Sequence, residues 1–173
     1  MKFSIAAISL FALSAVALPA GVVRRGASAA TVSLISDAEG FRADYYEIMG
    51  HKTIGYGHDC VARKDCDGIQ APITDAQGTE ILQKDLVGFE QCVCALPNAK
   101  DLNANQYGAL VSYAFNTGCG GLQQAWTGAM TSKNFDSICS GLPTTNTING
   151  LLDNRRRKEA ALCSTPTTQM SGC

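Results

Sequence analysis

Two carboxylates and a hydroxyl, Glu39, Glu47 and Thr53, lie close together in a stretch punctuated by Gly40, Gly50, Gly55 and Gly57 and ended by His58. Two carboxyl groups in different protonation states are the usual minimum for cleaving a glycoside. One protonates the poor leaving group while the other orients water and steadies the positive sugar carbon. A threonine hydroxyl that shares the water with the second carboxylate places the attack on the opposite face and inverts the anomer. A carboxylate that attacks directly retains it.

These groups need elements that aim them. Val32, Ile35 and Ala38 recur at helical spacing and Gly40 is a C-terminal cap, so Glu39 falls in the last turn of a short helix. The free carbonyls there disfavour another negative charge, which suits a proton donor. Arg42 to Glu47 and Lys52 to Tyr56 read as strands of a hairpin around Met49-Gly50-His51, with a third strand or loop near Ile69 to Ile73 and a surface loop from Cys60 to Cys66. Thr74 and Gln77 form a capping box for a long helix from about Asp75 to Val93. Asn103 and Gln106 cap a third helix whose Tyr107 to Phe115 run has no polar face of any width, predicting burial on nearly all sides until Gly118, Gly120 and Gly121 end it. Trp126 to Cys139 suggests one or two short helices, and Leu151 to Leu162 a basic helix with Leu151, Leu152 and Leu162 inward. Tyr113 and Trp126 are expected in the core, and His58 in a structural hydrogen bond.

The N-terminus has the pattern of an export signal over residues 1–17, with Lys2, an apolar run and Ala15-Val16-Ala17 as cleavage site, followed by a pro-segment, residues 18–25, ending at Arg24-Arg25. What remains, residues 26–173, is roughly 150 residues, one domain's worth. A secreted, extracellular monomer is expected. With Lys2, Arg24 and Arg25 removed from 14 basic residues, 15 acidic ones dominate, for a net charge of about −4. That argues against nucleic acid as a partner, and no segment after the leader is apolar enough for a membrane span. Cys60, Cys66, Cys92, Cys94, Cys119, Cys139, Cys163 and Cys173 all follow the leader, an even number consistent with up to four disulfides. Cys60 with Cys66 could close a short loop and Cys173 is expected to pin the tail. Their spacing with His51 and His58 is not that of a zinc site, so no metal and no cofactor are expected.

Glu39-Gly40, Gly50 and Thr53-Ile54-Gly55-Tyr56-Gly57-His58 resemble the bacteriophage-type lysozymes, glycoside hydrolase family 24. So do Ile73-Thr74 with Leu82 and Asp85-Leu86, Leu102-Asn103 with Gln106 and Ala109 to Gly118, and Arg155-Arg156 with Glu159 and Leu162. Four blocks in order cover nearly the whole chain after the leader.

The resemblance implies an α+β, mainly α, fold: a small β lobe and a helical lobe around a substrate cleft. It implies hydrolysis of the β-1,4 bond from N-acetylmuramic acid to N-acetylglucosamine in bacterial peptidoglycan, with inversion. Glu39 would be the general acid, Thr53 would help hold the water, and Glu47 falls where the second acid stands, although it is longer than the usual Asp and arrives one residue early. Asp44 and Tyr46 are the alternatives to it. Arg155 and Arg156 match an arginine pair of which one approaches the catalytic Glu, while Gln106 and Asn116 could line the cleft. A lysozyme-like enzyme acting on chitin or chitosan, and a non-catalytic wall-binding protein, are the competing expectations.

Overall fold

A computed structural model describes residues 26–173, so the expectations for the export signal and pro-segment lie outside the described residues. The Ser28 side chain accepts the Thr31 backbone N–H and opens helix α1 (Ala29–Glu39), whose Thr31, Val32 and Ile35 face inward. Gly40, at φ 76° and ψ 141°, takes a positive-φ conformation that glycine adopts readily and that ends the helix, and its N–H donates to the Ser36 carbonyl. Glu39 is therefore the last helical residue, and the chain turns at once into the sheet.

The sheet has three antiparallel strands in the order β1 (Arg42–Ile48), β2 (His51–Gly55) and β3 (His58–Asp59). The third strand is not the segment near Ile69 to Ile73, whose backbone meets that of β1 where the Ile73 N–H donates to the Ala43 carbonyl. Ile54, Cys60 and Ile73 form a small separate core, closed by Tyr45, whose hydroxyl donates to the Ile69 carbonyl at 2.8 Å. Cys60 to Arg63 is a short helix, α2, rather than a loop. The reason is Asp59, whose Oδ1 accepts both the Val61 and Ala62 N–H groups at 2.9 and 3.0 Å.

Thr74 and Gln77 make the expected capping box for α3 (Asp75–Cys94), with Leu82, Leu86 and Val93 buried. Asn103 and Gln106 make another for α4 (Ala104–Thr131), buried continuously from Tyr107 to Ala114. The glycines after Thr117 do not end α4 as expected. Only Gly118 leaves helical geometry, at φ 75° and ψ 167°, so the helix kinks there and resumes. Trp126 thus lies in its second half, and α5 (Phe135–Gly141) follows.

The last helix, α6 (Asp153–Ser164), begins after Leu151 and Leu152, and Leu151 is 82% exposed. Leu152 and Leu162 are half-buried, Leu162 against Gly108 of α4, and the buried residues of α6 are Arg155, Arg156, Glu159 and Cys163. Four disulfides close the structure: Cys60–Cys66, Cys92–Cys119 at the kink of α4, Cys94–Cys173 and Cys139–Cys163 between α5 and α6. Cys173 does pin the tail, to the end of α3. No helix among the described residues is long and apolar enough to cross a membrane.

Helices α1 and α4 meet through Gly108, where an added Cβ would lie 2.0 Å from Thr31 Oγ1. Gly108→Ala is therefore expected to destabilise the fold by about 1–3 kcal/mol, since the helices must part to admit a methyl. Denaturant unfolding checks this, as a lowered midpoint at unchanged slope.

Candidate active site

Helix α6 brings Arg155 to Glu39 across the chain. Arg155 Nη1 donates to Glu39 Oε1 at 2.5 Å, Nε to Glu159 Oε1 at 3.1 Å, and Nη2 to the Ser112 carbonyl at 3.0 Å. Glu159, fully buried, also accepts the Ser112 hydroxyl at 2.8 Å and Arg156 Nη1 at 2.5 Å. Arg156 lies 4.4 Å over the Tyr113 ring and donates through Nη2 to Asn116 Oδ1 at 2.5 Å and through Nε to the Thr145 carbonyl at 3.1 Å. Spacings of three and four residues put Glu159 one helical turn from both arginines. Two guanidiniums and two carboxylates balance in charge, which is what allows such groups to be buried.

Of these four charged groups Glu39 is the one that reaches solvent, its side chain 27% exposed. Arg155 engages Oε1, and Oε2 has no protein partner among the described residues. One oxygen is held and the other is presented, a suitable disposition for delivering a proton.

The other wall is the sheet, and its register decides which side chains face together. Tyr46 lies opposite Thr53, and Glu47 opposite Lys52. Directly opposed residues of an antiparallel pair project to one face, and their neighbours along the strand to the other. Tyr46 thus shares a face with Thr53, while Glu47 shares the opposite face with Lys52. That face is independently marked by Lys52 Nζ, which lies 3.7 Å over the Tyr45 ring, and by Tyr45 and Ile54 in the small core. The expected second acid, Glu47, is thus placed on the strand face opposite the one that carries Thr53. Only Met49 and Gly50 separate Ile48 from its partner His51, and so short a turn leaves no slack to bring Glu47 round to Thr53.

Glu47→Gln is accordingly expected to leave bacterial lysis within about twofold of the wild type, as for a surface substitution of ~0.5 kcal/mol. A turbidity assay with both proteins checks it.

Tyr46 stands where Glu47 was expected. Burial raises its phenol above the ordinary range, Arg42 beside the ring opposes this, and the Glu39 charge raises it further, which places the phenol within electrostatic reach of Glu39. Thr53 is buried and its hydroxyl donates to the His51 carbonyl at 3.1 Å, leaving its lone pairs to accept from a water. Across β2 and β3, Thr53 lies opposite Asp59. Asp59 Oδ2 is 2.6 Å from His51 Nδ1. That bond, with the Ala62 and Val61 N–H groups, holds the Asp59 carboxyl below the usual carboxylate range.

The remaining candidates take structural places. Gln106 Oε1 accepts the Asn103 N–H at 3.0 Å, so it caps α4 rather than offering itself to a ligand. Asn116 serves Arg156. His58 is buried between Asp85 at 2.9 Å and Asp65 at 3.0 Å, tying β3 to α3. One of its nitrogens lies within 4.8 Å of the Cys60 and Cys66 sulfurs, but those sulfurs are joined in a disulfide and offer no thiolates to a metal. Tyr113 and Trp126 meet edge to face in the core, with centroids 5.7 Å apart. The sequence named Glu159 only within a motif block and His51 only as a metal-ligand candidate that its spacing disfavoured, and Asp59 not at all. The spacing of Glu159 behind Arg155 and Arg156 was the available signal, whereas the other two are joined only by strand pairing.

A half-exposed carboxyl at a helix end, anchored by a buried arginine and set near a small sheet that carries a buried threonine, defines a lysozyme-type glycoside hydrolase on a two-lobed α+β fold. The phage lysozyme family model matches residues 36–159, and the chain belongs to that family. It is 31% identical over 153 residues to the SAR-endolysin of Escherichia phage P1, covering 79% of this chain and 80% of that protein. Against the SAR-endolysin of Haemophilus phage HP1 it is 31% identical over 98 residues, 47% of this chain, and it spans about half, 53%, of that relative's length. Among solved structures, the muramidase domain of SpmX from Asticaccaulis excentricus is similar at a TM-score of 0.65 and 26% identity, with 83% of this chain and 100% of that one covered.

Proposed function

We propose that this protein is a secreted muramidase that hydrolyses the β-1,4 bond between N-acetylmuramic acid and N-acetylglucosamine in bacterial peptidoglycan, with Glu39 as general acid and inversion of the anomer. The carrying observation is the Arg155–Glu39 contact, which fixes one carboxyl oxygen and leaves the other toward solvent. In this reading Glu39 protonates the glycosidic oxygen, and Thr53 Oγ1 holds the water that attacks the opposite face of the sugar. Arg155 keeps Glu39 in place and balances its charge as the proton leaves. The muramidase among the structural neighbours supports the substrate. Four disulfides and the leader pattern support export to an oxidising compartment. No metal or cofactor enters the chemistry.

Incubation of the purified protein with peptidoglycan and, in parallel, with chitin oligomers tests the substrate. Solubilisation of peptidoglycan is expected, and release from chitin alone would replace this reading with that of a chitinolytic enzyme of the same fold. Proton NMR of the first-formed product tests inversion: the α anomer is expected from the β bond, and a β product contradicts it.

A further inference from the structure

With Glu47 on the far face, the site holds a general acid and a water-holding threonine, and the group that removes the water's proton is unassigned. The face that carries Thr53 supplies one. Asp59 lies directly opposite Thr53 on β3, and His51, two residues before Thr53 on β2, projects to the same face. The two are joined at 2.6 Å through His51 Nδ1 and Asp59 Oδ2.

Asp59 is itself fixed, because its other oxygen accepts two N–H groups from the first turn of α2. In the neutral ring an anionic partner on Nδ1 places the proton there, and the second ring nitrogen, Nε2, then carries the lone pair. Among the described residues Nε2 has no protein partner, and the imidazole is about half-exposed, at 48%. The Thr53 hydroxyl donates to the backbone carbonyl of this same His51, so the water-holding oxygen and the imidazole share one residue as their anchor.

We propose that His51, oriented by Asp59, is the general base of the reaction, in the place that a second carboxylate would otherwise occupy. As a water bound to Thr53 attacks the anomeric carbon, one of its O–H bonds breaks and the proton passes to His51 Nε2. The oxygen–carbon bond forms while the carbon–oxygen bond to the leaving sugar breaks, and the leaving oxygen takes the proton of Glu39. Solvent then carries the proton from His51 back to Glu39, so no other reactant is needed. Asp59 is a positioning residue, acting through His51. The inference rests on Glu39 being the general acid.

The test is His51→Ala with and without sodium azide, an anionic nucleophile that needs no deprotonation. Turnover is expected to fall about 10²-fold, the usual contribution of a general base, and azide is expected to restore it with formation of an inverted glycosyl azide. Azide should not rescue Glu39→Gln, which lacks the proton for the leaving group. His51→Ala turning over at the wild-type rate overturns the proposal, as does a slow variant that azide leaves slow while circular dichroism shows it folded. If alanine impairs folding, His51→Gln carries the same azide test with the same two readings. Failure of the wild type itself to cut peptidoglycan would instead overturn the function proposed above.

Discussion

Glu39→Gln is expected to lower the rate of wall hydrolysis by about 10²- to 10⁴-fold, the range spanned by loss of a positioned general acid. Glutamine keeps the length and the acceptor oxygen that Arg155 Nη1 grips, but it has no proton of suitable acidity to give. Binding to the wall should persist, so the loss should appear in turnover rather than in KM. Folding should change little, because Arg155 retains Glu159 and the Ser112 carbonyl, and Glu39 is the most solvated of the four charged side chains. The measurement is a pair of turbidity progress curves at matched protein concentration, beside a thermal unfolding scan of each protein. Lysis at the wild-type rate by the glutamine variant would remove Glu39 from the chemistry.

The second large effect is one of stability. Glu159 is the counter-charge of two buried guanidiniums and receives donations from Arg155, Arg156 and Ser112. Glu159→Ala strips that charge and leaves a cavity where three donors converged. Breaking a buried ion pair from one side costs about 3–5 kcal/mol, a large share of the roughly 5–15 kcal/mol available to a domain. Chemical denaturation should show the midpoint falling accordingly. Near-wild-type stability would mean that Arg155 and Arg156 find compensation elsewhere, at Asn116 and the Thr145 carbonyl. Exposed ion pairs provide the contrast: Arg157 with Asp153, on the outer face of α6, should contribute little.

What could be read from the sequence was local. The C-terminal glycine that puts Glu39 at the end of α1 and the capping boxes of Thr74 and Asn103 act within four residues, and all appear where expected. Tertiary pairing was less legible. The two-residue strand His58–Asp59 is too short to carry an alternating pattern, and Asp59 begins a helix that nothing in Cys60 to Arg63 announces. Hydrophobic patterning misassigned the inner face of α6, selecting Leu151 where Arg155, Arg156 and Glu159 are buried. A single-residue scale counts such groups as exterior, because their burial depends on partners in α1 and α4 that are distant in sequence.

The site divides in the same way. Glu39 and Arg155 emerged from the motif because each sits on a helix whose phase the sequence sets. The face on which Glu47 lies could not be read, because side-chain direction in a hairpin depends on the parity of the register, which the Met49-Gly50 turn decides. The His51–Asp59 pair bridges β2 and β3 and becomes visible only once the strands are aligned.

Chemical identification of the ends released from peptidoglycan addresses the central claim most directly. Purified walls are digested with the wild type and with Glu39→Gln, reduced with borohydride and analysed by mass spectrometry. Reduced N-acetylmuramic acid ends are expected from the wild type, with almost none from the variant. Reduced N-acetylglucosamine ends, anhydromuramic ends, or equal release by the two proteins would contradict a muramidase that uses Glu39 as its acid.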